Sequence, residues 1–239
     1  DKCSKVALQD ALLRRFAEIS AKFCYQAKGS GKSGVIQVSH CGQEVLERTA
    51  CEITKEGIHI RFFVGFPANG RTINSGELEK ILFVYLPKCV EMSLYHRKVP
   101  ERETEQVICL KEDQRVIREE LKKRGLIAFV ANGSILPRQS GNSDLPMKDA
   151  VPFQSPKSME ITIQLRHRGS ITGMGIRKGI TLIAGGGYHG KSTLLEALEK
   201  GVYDHIAGDG REFVITDDTV WKLRAEDGRK IKDVDISLF

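Results

Sequence analysis

Residues 180–200 read ITLIAGGGYHGKSTLLEALEK. At its centre is the pattern G-x-x-x-x-G-K-S: Gly185, Gly186, Gly187, Tyr188, His189, Gly190, Lys191, Ser192. Each position suits a phosphate cradle, the P-loop. The glycines let the backbone curl so that successive N–H groups point inward at phosphate oxygens. A helix that starts at the last Gly adds unpaired N–H donors and the positive end of its dipole. In such a loop Lys191 reaches the β- and γ-phosphates, the Ser192 hydroxyl ligates Mg²⁺, and Thr193 stands near the α-phosphate. The flanks agree: the apolar run 180–184 predicts a strand into the loop, and 192–200 predicts an amphipathic helix out of it. Gly201 is placed to end that helix. The expected ligands are ATP or ADP with Mg²⁺.

Two other segments imitate parts of a nucleotide site. GSGKS at 29–33 lacks the first Gly, because position 26 is Gln26, and it follows a helix rather than a strand. It reads as a mobile basic loop. FVITDD at 213–218 resembles an apolar strand ending in metal-associated acids. Thr216 interrupts the apolar run, so a strand ending in an Asx turn is the simpler reading; in a Walker B segment Asp217 or Asp218 would be the metal-associated acid.

The 239 residues suit one large domain or two small ones, and 41% hydrophobic content allows a buried core. No run of 18 apolar residues exists, so no membrane span is expected. The chain opens DKCSKVALQD, with no apolar signal segment and no initiator Met, and reads as a piece of something longer. Cys3, Cys24, Cys41, Cys51, Cys89 and Cys109 form no C-x-x-C pair. They read as reduced thiols of an intracellular protein, in the cytoplasm or the mitochondrial matrix. His40 beside Cys41 has no second ligand pair at zinc spacing.

The net charge is +6, and the whole excess lies in residues 1–158. Clustered positive charge is the footprint of a polyanion binder, which makes Arg14, Arg15, Lys22, Lys28, Lys32 and the Lys122–Arg124 run candidate nucleic-acid contacts. The same residues equally suit solvated helix faces, since Asp10–Arg14 and Glu18–Lys22 are spaced for i,i+4 pairing.

Leu8, Leu12, Phe16, Ile19 and Phe23 predict an amphipathic helix over 5–24. Then come a short strand at 35–38, a helical turn near 43–48, and strands at 51–55 and 58–65 around Gly57. A helix is expected from 76 to 94, N-capped by Ser75 and kinked by Pro87, and another over 103–124. Residues 126–130 read as a buried strand. Residues 132–158 hold four prolines and many serines, which predicts a linker or long loop and a domain boundary. Strands are expected at 159–165, 212–216 and 219–225. The organisation expected is 1–131, a basic α+β domain; 132–158, a linker; and 159–239, the first part of a nucleotide-binding domain.

The segment GMGIRKGITLIAGGGYHGKSTLLEALEKGVYDHIAGDGREFVIT, followed by KLRAEDGR, resembles the family of predicted ATPases of the ABC class. SGKSG, GQEVLERTA, GRTI, AFVANGSILPR and DAVPF upstream fit the same family. The resemblance implies an α/β fold: a small α+β N-terminal domain, then the start of an ABC-type P-loop nucleotide-binding domain. It implies ATP bound at a homodimer interface, with Gly185–Thr193 on the phosphates and the segment 226–229 at the Q-loop. The signature segment, a Walker B strand with its catalytic Glu, and the switch His have no counterpart here. The resemblance therefore implies an incomplete ATPase domain that binds nucleotide weakly and hydrolyses it poorly. Two functions follow: an ATPase coupled to RNA through its basic half, or a non-catalytic, nucleotide-dependent scaffold that recruits a protein.

Overall fold

The computed structural model describes residues 2–225, 227–230, 232–233 and 235, with side chains from residue 4 onward. It divides into two compact units, residues 1–111 and 112–239, and the division falls inside a long helix. Residues 132–158, where composition suggested a boundary, belong to the second unit.

The first unit is built on α1 (Lys2–Ala21). Ala, Leu, Gln and Arg dominate its middle turns and favour helix. Leu13, Phe16 and Ile19 are buried together with Ile36, Val38, Cys51, Ile81 and Cys89. The Phe16 and Phe62 rings tilt against each other at 5.6 Å. Around α1 lie short antiparallel pairs: Ile36–Gln37 with Phe63–Val64, Cys51–Ile53 with Ile58–Ile60, and Ala68–Asn69 with Thr72–Ile73. No helical turn forms at 43–48; Glu44–Val45 is extended, and the Glu44 carbonyl accepts Arg14 and Arg48.

The expected helix over 76–94 is three pieces: α2 (Ser75–Lys80), a π-helical turn (Ile81–Tyr85) and α3 (Leu86–Leu94). Asn74, not Ser75, caps it, accepting the Glu77 N–H at 3.3 Å. Pro87 sits in the first turn of α3, where its missing N–H costs least. The wider π turn absorbs the proline ring without a break.

The expected solvated pair Asp10–Arg14 is only half solvated. Asp10 is 1% exposed, and its carboxylate accepts Arg14 Nε at 2.6 Å and Arg48 Nε at 2.9 Å. Two partly buried guanidinium groups offset the cost of burying this charge.

The second unit holds most of α4 (Glu101–Arg124) and a four-stranded sheet. The sheet order is Glu160–Gln164, Ser170–Arg177, Leu126–Ala131, Val214–Thr216, and every pairing is antiparallel. The Leu126–Ala131 strand is almost wholly apolar, as a strand with both faces covered must be. Ala128 and Val130 pack with Met174, Ile176, Val214 and Ala197, the last from α5 (Lys191–Lys200). α4 is tied down by polar bonds: Gln114 donates to the carbonyls of His205 and Glu212, and Arg124 to that of Thr162. The Pro- and Ser-rich segment 132–158 contains a hairpin, Arg138–Ser140 with Ser143–Pro146.

Two expected strands do not form. After Arg177 the chain passes Gly179 (φ 121°) and leaves the sheet, and residues 180–184 form no strand. Ile180 and Leu182 are 105% and 86% exposed. A strand needs a partner to take its N–H and C=O groups, and no described strand runs beside this one. Residues 219–225 are also irregular, because an Asx turn at Asp217 ends the preceding strand.

Replacing Asp10 with Ala is expected to cost about 3 kcal/mol, because it strands two guanidinium groups; urea unfolding of the full chain reads this directly. Burial pushes the thiols of Cys51 and Cys89 up to about 11. Between the ordinary thiol range and pH 11 the unfolded chain loses protons that the folded chain keeps, so stability falls as pH rises through that window. Iodoacetamide at pH 8, read by mass spectrometry, is expected to spare both cysteines until the chain unfolds.

Candidate functional site

Gly185–Gly190 wrap the start of α5. Tyr188 has φ 60°, left-handed and uncommon outside glycine, and Gly190 at the N-cap has φ 76° and ψ 8°. Such left-handed steps make a concave nest of N–H groups. The His189 ring lies over Gly186, where an added Cβ would stand 3.0 Å from it. Lys191 Nζ folds back and donates to the Gly186 carbonyl, so its charge sits over the loop. Gly185, Gly186, Gly187, Tyr188, His189, Gly190 and Ser192 are exposed; Lys191 and Thr193 are half-buried. The structure thus brings all nine predicted residues onto one loop and the first helical turn.

The far end of α5 is held tightly. Gly201 N–H closes on Ala197 O at 2.9 Å. Thr216 Oγ1 donates to Leu198 O at 2.8 Å, and Thr216 N–H to Gly201 O at 2.8 Å. Gly201 must stay Gly: an added Cβ would lie 2.7 Å from Thr216 Oγ1 and 3.0 Å from Val214 O. Arg118 of α4 joins the same place, donating to the carbonyls of Thr216 (2.9 Å) and Val202 (3.1 Å) and to Asp204 Oδ1 (2.7 Å).

Next to it is a buried polar cluster. Asp209 is fully buried and accepts both Nη atoms of Arg138 at 2.9 Å. Its Oδ2 also lies 2.7 Å from His205 Nδ1. Arg211, 2% exposed, donates to the Leu136 carbonyl, and burial lowers its pKa. Sequence reasoning assigned no role to Arg118, Asp204, His205, Asp209, Arg138, Arg211 or Thr216. The signals were the runs GVYDHIAGDGREFVIT and AFVANGSILPR, quoted for their resemblance and not for their chemistry, and Arg118 lies in neither.

The metal-acid imitation is an Asx turn: Asp217 Oδ1 accepts Thr219 N–H at 3.0 Å and Oγ1 at 2.6 Å. The Thr219 hydroxyl and N–H hold that carboxyl below its usual range. Of the basic candidates in the first unit, Arg14 is bound to Asp10, Arg15 to Glu103 and the carbonyls of Met92 and Lys98, and Lys22 lies 3.6 Å from Glu18. Lys28 and Lys32 stand exposed on their loop. That loop is pinned rather than mobile: Ser30 N–H reaches Ala68 O, Gly34 N–H reaches Gly65 O, and Lys28 N–H reaches Glu77. Glu226, at the expected Q-loop, lies outside the described residues. Among the described residues no helix is long and apolar enough to cross a membrane.

The second unit mixes helix and strand and carries a glycine-rich loop that opens directly into a helix. Residues 100–239 match the family model ABC_ATPase, P-loop domain, and residues 1–97 match ABC_N, ATPase of the ABC class N-terminal. The chain belongs to the ABC-class ATPases. Uncharacterized protein MJ1628 of Methanocaldococcus jannaschii is 35% identical over 139 residues, covering 53% of this chain and 30% of that protein. The chain therefore spans well under two thirds of that relative.

Gly190→Ala places a Cβ at a left-handed position and is expected to lower stability by about 1–2 kcal/mol, read as a reduced thermal midpoint.

Proposed function

We propose that Gly185–Thr193 bind the phosphates of ATP, with Mg²⁺ held by the Ser192 hydroxyl. The observation that carries this reading is the loop itself: a left-handed turn at Tyr188 and Gly190 opening directly into α5, with Lys191 Nζ folded across it. Its donors are N–H groups, one ammonium and one hydroxyl, a set that suits a polyphosphate and its cation. Bound Mg²⁺ would supply charge neutralisation at the phosphate oxygens, and Lys191, now on Gly186 O, is within its own reach of a phosphate placed in the loop. The exposed loop leaves room for a second protomer to cover the nucleotide, which is how ABC-class sites close. Lys191→Ala is expected to weaken Mg·ATP binding by about 30-fold or more, measured by calorimetry. An unchanged affinity refutes the assignment. If the same substitution abolishes hydrolysis measured in the full-length protein, the alternative reading of a non-catalytic, nucleotide-ordered scaffold fails.

A second observation favours single-stranded RNA on the first unit. Tyr25, Phe63 and Phe66 are exposed aromatics, and the segments carrying Tyr25, Lys32 and Phe66 are hydrogen-bonded neighbours: Tyr25 N–H to Gly34 O and Gly34 N–H to Gly65 O. Exposed aromatics beside lysines stack bases and meet phosphates. The K28Q/K32Q double variant is expected to reduce the log–log salt slope of oligonucleotide binding by about 1.4. Absence of binding at low salt in the wild type removes this reading.

A further inference from the structure

A helix leaves its last carbonyls without intrahelical partners. At the end of α5 they are taken one by one. Leu198 O accepts Thr216 Oγ1, and Lys200 O accepts Tyr203 N–H at 3.0 Å and faces His205 Nε2 at 3.3 Å. Gly201 O accepts Thr216 N–H and Arg118 Nη2 at 3.4 Å, and Val202 O accepts Arg118 Nη2 at 3.1 Å. Arg118 is the one side chain here that spans all the parts. Its Nε and Nη2 hold Asp204 Oδ1, and its Nη1 holds Thr216 O on the edge strand.

Ala197 is the one fully buried residue of α5, and Leu194 and Leu198 are partly buried against the same core. The helix is about 15 Å long, and the phosphate loop stands exposed at its free end. The two ends of a short rigid rod turn together, so a grip on the C-terminal end also sets the direction of the N-terminal end. The guanidinium is a planar fork of fixed geometry, so it sets an angle as well as a distance. Its charge also meets the negative end of the helix dipole.

We propose that Arg118 is a positioning residue for the phosphate site: by clamping the C-terminal end of α5 to Asp204 and Thr216, it aims the N–H groups of Gly190–Thr193. This rests on the phosphate-binding reading above. It adds a residue on a different helix that touches no ligand.

The test compares three variants of the full chain: Arg118→Gln, Arg118→Lys and Ile117→Ala. Ile117 is fully buried on the same helix and makes none of the clamp's bonds, so it reports the effect of destabilisation alone. Arg118→Lys keeps a cation against Asp204 and serves if the Gln variant does not fold. Mg·ATP affinity is measured by calorimetry at a temperature where circular dichroism shows every variant folded. Amide exchange across α5 is followed by mass spectrometry without nucleotide. Both Arg118 variants are expected to bind Mg·ATP roughly tenfold more weakly and to exchange faster over 190–194, while Ile117→Ala keeps wild-type values in both. Wild-type affinity and exchange in the Arg118 variants overturn the proposal. So does an equal loss in Ile117→Ala. If wild-type chain binds no Mg·ATP, the phosphate reading fails, and the exchange comparison alone decides whether Arg118 aims the helix.

Discussion

A helix leaves its last carbonyls without partners of its own, and other elements have to supply the donors. In this chain that is done where Gly201, Thr216 and Arg118 meet. Gly201 lets the end of α5 approach the Val214–Thr216 strand more closely than any side chain would permit. Thr216 then bonds α5 through both its hydroxyl and its N–H. The threonine that spoils an apolar strand pattern is therefore not a flaw in the strand. Its hydroxyl is the bolt between strand and helix, and a valine there would leave the Leu198 carbonyl without that donor.

Buried charge organises both units. Asp10 is enclosed by Arg14 and Arg48 in the first, and Asp209 by Arg138 and His205 in the second. Such groups add little net stability, because desolvation offsets most of the attraction. They do penalise misplacement severely, since a shifted backbone leaves an unpaired ion inside. That fits their positions: Asp10 ties α1 to the segment before the first hairpin, and Asp209 closes the loop that follows α5 and bonds back to residue 138. This also explains why the basic excess of the first half is a poor map of a polyanion surface. Arg14 and Arg15 point into the protein's own carbonyls and carboxylates, while Lys28 and Lys32 of the 28–34 loop are among the exposed cations.

The run 180–184 is the place where local pattern and tertiary setting disagree. Its residues favour a strand, yet Ile180 and Leu182 face solvent. A period-two apolar run becomes a strand only where a neighbour accepts its backbone bonds. Ile183, Leu195, Leu198, Trp221 and Leu223 line an apolar cleft of about 370 Å³ beside it.

The sequence by itself determined the P-loop, its helix and the family, because those depend on short-range chemistry. Glycines at fixed spacing, then Lys and Ser, specify a loop whatever surrounds it. It also pointed to α1, α4 and the Leu126–Ala131 strand, through apolar spacing in the first, charged helix-forming composition in the second and an unbroken apolar run in the third. Only the tertiary structure decided that Asp10 is inside, that Pro87 is carried by a π turn, and that the sheet is antiparallel with Val214–Thr216 at its edge. It alone brought Arg118 to the end of α5, 83 residues away along the chain from Gly201. Partners that distant leave no local trace, because a guanidinium's role is set by which carbonyls the fold puts within its reach.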